Sequence, residues 1–199
     1  MIAREHITGL VLAGGRGSRM GGVDKGLENF EGQPLALRAA WRLMPQVGEL
    51  LINANRNLGP YEAFGFPVIP DAMGDYQGPL AGVMAGLEAC TTDYLATVPC
   101  DSPFFPMDLV PRLAQALHDA NAQLSVAMAD GRAQPVFMVM RADVLESLRA
   151  FLDQGGRKID RWTASLHTVD VDFGATDPAF VNVNSREELF AAQAGSFNR

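Results

Sequence analysis

A glycine-rich loop carrying basic side chains lies near the start of the chain, in the segment LVLAGGRGSRMGGVDKG from Leu10 to Gly26. Glycines let the backbone approach a ligand closely, and successive N–H groups of such a loop form concave anion sites. Arg16, Arg19 and Lys25 add positive charge, and Asp24 is the only acidic residue of the loop. A local cationic loop of this kind predicts a polyphosphate ligand.

Two common phosphate-binding motifs do not fit this loop. A Walker A motif requires G-x-x-x-x-G-K-[ST], but here Asp24 precedes Lys25 and Gly26 follows it. A dinucleotide-binding fingerprint requires G-x-G-x-x-G at the start of a helix, but Met20 stands at the position of the third glycine. The loop therefore matches neither motif, although a degenerate dinucleotide loop remains an alternative.

Polar residues follow three predicted strands. Asn53 ends the segment ELLIN, Asp71 comes after a short apolar pair, and Asp101 follows the strand that begins at Tyr94. A carboxylate such as Asp101 can bind Mg²⁺ together with phosphate oxygens, or it can cap the turn between its flanking prolines. Asn53 and Asp71 can bind ribose or a base edge, but their residue types alone favour turns.

Two further segments have patterns found in binding loops. Gly78 and Gly82 lie in GPLAG at the start of a predicted helix, where N–H groups can bind an anion. A plain loop-to-helix junction explains these glycines about as well. In the segment FVNVN, the alternation places Asn182 and Asn184 on one side of a strand, which can also be the polar face of an edge strand.

The elements that must position these residues alternate between strands and helices. Strands are predicted at 7–12, 49–53, 68–69, 94–98, 124–129, 136–140, 167–171 and 180–183, and helices at 34–43, 61–66, 79–89, 107–120, 141–154, 158–166 and 185–194. The alternation predicts a three-layer α/β/α sandwich with a mostly parallel, Rossmann-like sheet. We expect one domain over residues 1–199, with residues 195–199 as a disordered tail. In such sheets ligands bind at the carboxyl ends of the strands, where the candidate residues fall.

The segment LAGGRGSRMGGVDKGL resembles the signature of nucleotidyltransferases, which transfer the NMP part of an NTP to an acceptor and release pyrophosphate. Within this class it is most similar to the molybdenum cofactor guanylyltransferase (MobA) family of the MobA-like NTP transferases. The resemblance continues along the chain through GPLAG, PCD and NVNS. It implies GTP as the nucleotide donor, molybdenum-bearing molybdopterin as the acceptor, Mg²⁺ as the cofactor and molybdopterin guanine dinucleotide as the product.

The resemblance also implies roles for individual residues. It assigns catalysis to Arg19, Lys25 and Asp101, and it makes Asp101 the magnesium ligand. The implied GTP-binding residues are Leu12, Ala13, Gly14, Gly15, Lys25, Asn53, Asp71, Gly78 and Asp101. The implied contacts to the pterin substrate are Arg19, Gly82, Asn182 and Asn184. The acceptor phosphate attacks the α-phosphorus directly, so no protein nucleophile is needed.

Composition limits the remaining choices. The chain has 199 residues, 48% of them apolar, a net charge of −7 and a pI near 4.9, which argues against a general nucleic-acid binder. Cys90 and Cys100 form neither a disulfide framework nor a zinc-ligand spacing, which is typical of a reducing compartment. No apolar segment reaches the length of a membrane span. We expect a cytoplasmic monomer that contacts no membrane or nucleic acid, with a molybdoenzyme or a delivery chaperone as a possible partner.

Three alternatives remain open at this point. The nearest is a sister nucleotidyltransferase, such as a CTP-dependent molybdopterin cytidylyltransferase or an enzyme with another acceptor. The second is an oxidoreductase with a degenerate dinucleotide loop. The third is a non-catalytic module that binds a nucleotide without releasing pyrophosphate.

Overall fold

A seven-stranded sheet forms the centre of the protein in a computed structural model that describes residues 1–15, 24–71, 78–174, 179–180 and 182. The strands are β1 (Ile7–Leu12), β2 (Asn29–Phe30), β3 (Gln33–Pro34), β4 (Glu49–Asn53), β5 (Val68–Ile69), β6 (Tyr94–Pro99), β7 (Leu124–Ala129), β8 (Arg132–Arg141) and β9 (Thr168–Asp172). The α-helices are α1 (Leu35–Leu43), α2 (Leu58–Glu62), α3 (Pro79–Ala89), α4 (Leu109–Asp119), α5 (Leu145–Asp153) and α6 (Ile159–Thr163). Among these residues, no helix is both long enough and apolar enough to cross a membrane.

The strand order of the sheet is β5-β4-β1-β6-β8-β7-β9, and most neighbours are parallel. β1 lies at the centre, parallel to β4 on one side and to β6 on the other. β8 runs antiparallel to both β6 and β7, whereas β9 is parallel to β7. β2 and β3 form a separate two-stranded hairpin. The predicted mostly parallel α/β fold is confirmed.

Two apolar clusters cover the opposite faces of the sheet. Val11 on β1 belongs to the cluster that contains the buried faces of α1 and α4, with Leu43 and Leu113 among its members. Leu10, the preceding residue, belongs to the other cluster, which contains residues of α3 and α5. Successive strand residues point to opposite faces, so one strand supplies both cores. The result is the predicted three-layer arrangement, with helices on both sides of the sheet.

Several predicted boundaries are wrong. The helix predicted at 61–66 is instead α2, Leu58–Glu62, and the chain then turns through Gly65 at φ 84°. The helix predicted from Pro34 begins at Leu35, because Pro34 pairs with Asn29 in the small hairpin. The helix predicted at 158–166 is only α6, Ile159–Thr163.

The strand predicted at 136–140 is longer, because it begins directly after a tight turn. Asp130 and Gly131 separate β7 from β8 and have φ values of 51° and 67°. A two-residue turn with two positive φ values matches the twist of antiparallel strands. The Asp-Gly pair therefore reverses the chain and extends β8 back to Arg132. The strand and helix predicted at 180–183 and 185–194, like the tail at 195–199, lie largely or wholly outside the described residues.

Candidate active site

The carboxyl ends of four adjacent strands form one edge of the sheet. Backbone hydrogen bonds continue past the strand ends here: Ala13 N donates to Asn53 O at 2.9 Å, and Cys100 N donates to Leu12 O at 3.1 Å. Ala54 N likewise donates to Ile69 O at 3.1 Å. The first residues of the glycine-rich loop thus lie between the segments that follow β4 and β6, and the end of β5 lies beyond the β4 segment. This is the edge at which the sequence predicts a ligand.

Lys25 and Asp101 meet at this edge although 76 residues separate them. Lys25 Nζ donates to Asp101 Oδ2 at 3.3 Å, and the side chains are 21% and 19% exposed. Partial burial strengthens the effect of both charges, while the remaining exposure leaves them accessible to a ligand. The structure therefore brings together two of the three residues predicted to be catalytic. The third, Arg19, lies outside the described residues.

Asn53, Asn55 and Asp71 form a hydrogen-bonded cluster next to the loop. Asn53 Nδ2 donates to Asp71 Oδ1 at 2.8 Å, and Asn55 Nδ2 donates to Asp71 Oδ2 at 2.8 Å. Asn55 also accepts a hydrogen bond from Asp71 N at 2.7 Å and donates to Gly14 O at 3.2 Å. Sequence reasoning predicted Asn53 and Asp71 but missed Asn55, for which the repeated asparagine in INANR was the available signal.

Glycine is required where the loop and α3 approach this cluster. A Cβ on Gly14 would lie 2.7 Å from Asn55 Nδ2. A Cβ on Gly82 would overlap Asn53 Oδ1 and lie 2.7 Å from Leu12 Cδ2. Gly82 is buried within α3, and its contact with a pterin stays a prediction. Gly78 precedes α3 with φ 83° and is exposed at the same end of the helix.

Leu12, Ala13, Gly14 and Gly15 lie in order at the start of the loop. Leu12 is half-buried, Ala13 is buried and Gly15 is exposed. Arg56 donates to Gly15 O at 3.5 Å, which adds a further contact from the segment after β4. The backbone of these residues thus lies at the sheet edge where a ligand is predicted. This position is what a role in binding a ligand through backbone groups requires.

The predicted pterin segment contacts the turn that carries Asp101. Ser102 is completely buried, and its Oγ donates to Asn182 Oδ1 at 2.5 Å. Asn182 itself is exposed. The contact spans 80 residues and places Asn182 close to the turn after β6. Asn184 lies outside the described residues.

Asp24 forms a second charged cluster that sequence reasoning missed. Its carboxylate, with only 6% of the side chain exposed, accepts hydrogen bonds from Tyr61 Oη at 2.6 Å and from Asn57 Nδ2 at 3.0 Å. Arg56 Nε lies 3.7 Å from the same carboxylate. No local pattern in the sequence connects Asp24 with these residues. They come together only because α2 packs beside the end of the loop.

Asp101 is a suitable ligand for Mg²⁺. The described residues contain no group of three or more His, Cys, Asp or Glu side chains that could hold a metal without a ligand. Mg²⁺ is usually held by one or two carboxylates together with substrate phosphates and waters. A single half-buried carboxylate near the described start and end of the glycine-rich loop suits an ion that arrives with a nucleotide.

The thiol of Cys100, next to Asp101, is expected to be unreactive in the folded protein. Burial raises the pKa of Cys100, and the negative charge of Asp101 raises it further. Because the thiolate is the reactive form, iodoacetamide at pH 8 should alkylate Cys100 at least roughly tenfold more slowly than the half-buried Cys90. Peptide mass spectrometry measures both rates, and unfolded protein provides the control in which they converge. Equal rates in the native protein would contradict this prediction.

Comparison with known proteins gives consistent results along the chain. The family model described as "MobA-like NTP transferase domain" matches residues 9–169. The chain is 53% identical over 200 residues to a molybdenum cofactor guanylyltransferase of Cupriavidus pinatubonensis, with 98% of this chain and 100% of the relative covered. It is 55% identical over 206 residues to the protein of the same name from Acidovorax sp. strain JS42, covering 97% and 98% of the two chains.

Solved structures agree on the fold. Molybdopterin-guanine dinucleotide biosynthesis protein A from Archaeoglobus fulgidus superposes with a TM-score of 0.76 at 20% identity, covering 96% of this chain and 100% of that one. A nucleotidyl transferase from Methanothermobacter thermautotroptrophicus superposes with a TM-score of 0.73 at 20% identity, covering 97% and 98%. At such low identity these matches establish the architecture alone.

Proposed function

The chain belongs to the MobA-like NTP transferase family, and on that premise we propose that it transfers GMP from GTP to molybdenum-bearing molybdopterin. The products are the molybdopterin guanine dinucleotide cofactor and pyrophosphate. The contact between Lys25 and Asp101 carries the chemical part of this proposal, since it pairs a cation with a carboxylate that could bind a metal ion. The named relatives support the choice of substrates.

The reaction requires the protein to position the substrates and to stabilise charge rather than to supply a nucleophile. A phosphate oxygen of the acceptor attacks the α-phosphorus of GTP, a new phosphoanhydride bond forms, and the bond to pyrophosphate breaks. Lys25 and Arg19 offset the negative charge of the triphosphate as it shifts toward the leaving group. Mg²⁺, when bound by Asp101, supplies further charge neutralisation on the phosphate oxygens. The backbone of Leu12, Ala13, Gly14 and Gly15, with Gly78, holds the nucleotide in place.

We propose that the cluster of Asn53, Asn55 and Asp71 selects guanine over adenine and cytosine. Each Asp71 oxygen accepts one hydrogen bond from an asparagine amide and retains a further lone pair. Guanine presents two donors, N1–H and the N2 amine, on its Watson–Crick edge, so a carboxylate can accept from both. Adenine and cytosine each present a ring-nitrogen acceptor at the matching position, which a carboxylate repels. We therefore place the nucleoside beside Asn53 and Asp71.

The acceptor is proposed to bind where the segment of Asn182 meets the turn that carries Asp101. Asn182, close to the Asp101 turn through Ser102, is one contact to the pterin, with Arg19, Gly82 and Asn184 as the others. Gly82 lies against Asn53, so the proposed acceptor site extends from the Asp101 turn toward the nucleotide, with the acceptor phosphate directed at the α-phosphorus. In-line attack requires such an approach.

We also propose that the chain acts as a single-domain, cytoplasmic monomer. Free thiols at Cys90 and Cys100 support a reducing compartment. The product then passes to a molybdoenzyme directly or through a delivery chaperone.

Pyrophosphate release is the experiment that tests the proposed activity. We expect release with GTP, Mg²⁺ and molybdenum-bearing molybdopterin together, little release without the acceptor, and little with CTP or ATP in place of GTP. Release with CTP instead would keep the mechanism and assign the protein to the cytidylyl sister activity. GTP binding without release from any acceptor would favour a non-catalytic module.

A further inference from the structure

The residue just before Lys25 is anchored inside the protein. The Asp24 carboxylate accepts hydrogen bonds from Tyr61 Oη at 2.6 Å and from Asn57 Nδ2 at 3.0 Å, and it lies near the Arg56 guanidinium. A buried carboxylate is costly unless hydrogen bonds and opposite charge compensate it. Here both oxygens are engaged. The backbone immediately before Lys25 is therefore held in place by the contacts of Asp24.

Tyr61 contacts the residue after Lys25 as well. The tyrosine is fully buried, and a Cβ on Gly26 would overlap its hydroxyl. Gly26 is itself buried. Burial strongly raises the pKa of Tyr61, so the phenol stays protonated and remains the donor to Asp24. One side chain thus touches both neighbours of Lys25 in the sequence.

We propose that Asp24 and Tyr61 act as a positioning pair that holds Lys25 against Asp101 and thereby controls turnover. The proposal rests on the proposed function, in which Lys25 stabilises charge on the phosphates. A lysine side chain is a point charge on a flexible four-carbon stem, so its backbone must be held if its charge is to act at one place. A displacement of about 1 Å at a reacting centre can lower the rate about 100-fold.

Tyr61→Phe removes the hydroxyl while keeping the ring, and Tyr94→Phe is its matched control. Tyr94 is half-buried at the first residue of β6, at the opposite end of that strand from Asp101. We expect Tyr61→Phe to lower kcat about tenfold and to change KM for GTP by less than about threefold. Tyr94→Phe should leave both within about twofold of the unchanged protein. Asp24→Asn removes the negative charge of the group that accepts the Tyr61 hydrogen bond, and it should also lower kcat. This variant is used in place of Tyr61→Phe if Tyr61→Phe does not fold.

A second measurement does not depend on catalysis. Lys25 and Lys158 are the only lysines in the sequence, and Lys158 is exposed before α6. Limited acetylation followed by peptide mass spectrometry therefore compares Lys25 with an internal reference in the same molecule. We expect Tyr61→Phe to raise the Lys25 to Lys158 labelling ratio about threefold or more, and Tyr94→Phe to leave it unchanged.

The two measurements separate the possible failures. A fall in kcat with little change in KM, together with a raised labelling ratio, supports the positioning pair. An unchanged labelling ratio in Tyr61→Phe, or a kcat equal to that of Tyr94→Phe, overturns the proposal of a positioning pair. If the unmodified protein releases no pyrophosphate from GTP, the proposed function fails. The labelling ratio then still decides whether Asp24 and Tyr61 hold Lys25.

Discussion

Lys25→Ala is expected to lower kcat for pyrophosphate release by about 10²–10³-fold, the loss typical of one preorganised charge-stabilising group. The reason is geometric as well as electrostatic. Lys25 Nζ lies 3.3 Å from Asp101 in a position that is only partly open to water, where a charge acts more strongly than at the surface. Under the proposed mechanism, removing Lys25 takes away a positive charge that would offset the charge moving onto the leaving pyrophosphate.

Lys158→Ala is the matched control for this experiment, since it removes the other lysine from an exposed position far along the chain. Its kcat should stay within about twofold of the unchanged protein. Lys25→Arg keeps the charge but changes its shape and reach, so partial activity is expected. Turnover of Lys25→Ala close to that of Lys158→Ala would remove Lys25 from the catalytic residues.

Asp101→Ala should cause a loss of similar size, about 10²–10³-fold in kcat. Asp101 is the carboxylate proposed to hold Mg²⁺, and Asp101→Asn tests this role more narrowly because it keeps the shape and removes the charge. We expect both variants to need more Mg²⁺ for half-maximal turnover, measured by titrating the metal in the pyrophosphate assay. Removing Mg²⁺ from the unchanged protein with a chelator should abolish turnover.

Asp153→Asn provides the control for charge alone, because Asp153 is exposed at the end of α5. It should leave both kcat and the Mg²⁺ requirement unchanged. An Asp101→Asn protein with an ordinary Mg²⁺ requirement would contradict the metal assignment. Near-normal turnover in both Asp101→Ala and Lys25→Ala would overturn the proposed mechanism as a whole.

The effects of these two substitutions should not add. Residues in direct contact usually show an interaction free energy when both are changed. Lys25 and Asp101 share one contact, and both are proposed to act on the same phosphates. The kcat of the double variant should therefore be only slightly lower than that of the less active single variant.

Local sequence patterns determined most of the elements that carry the site. The apolar runs of β1, β4 and β7 predict those strands with the bounds that the structure has, as does the run that forms α3. Each run is self-contained, because its residue types and its flanking polar, glycine or proline residues set its type and its ends. The alternation of these elements also predicts a mostly parallel sheet, and hence the edge where Asn53, Asp71 and Asp101 lie.

Local patterns were weaker where a turn or a short element decides the course of the chain. The Asp130–Gly131 turn makes β8 antiparallel, and the pair Asn29–Phe30 forms a hairpin with Gln33–Pro34. Short segments of this kind have too few residues for periodicity to distinguish them from loops. The position of α2 was misjudged for the same reason, and with it the surroundings of Tyr61.

Only the tertiary structure decided which side chains share a hydrogen bond. Tyr61 binds Asp24 across 37 residues, Asn55 binds Asp71 across 16, and Ser102 binds Asn182 across 80. A hydrogen bond needs its donor and acceptor within about 3 Å, so it depends on how separate elements pack rather than on the residues beside either partner. The sequence by itself therefore determined the sheet edge at which the predicted site residues Asn53, Asp71 and Asp101 lie. The packing of α2 and of the loops after β4 and β6 determined what holds those residues in place.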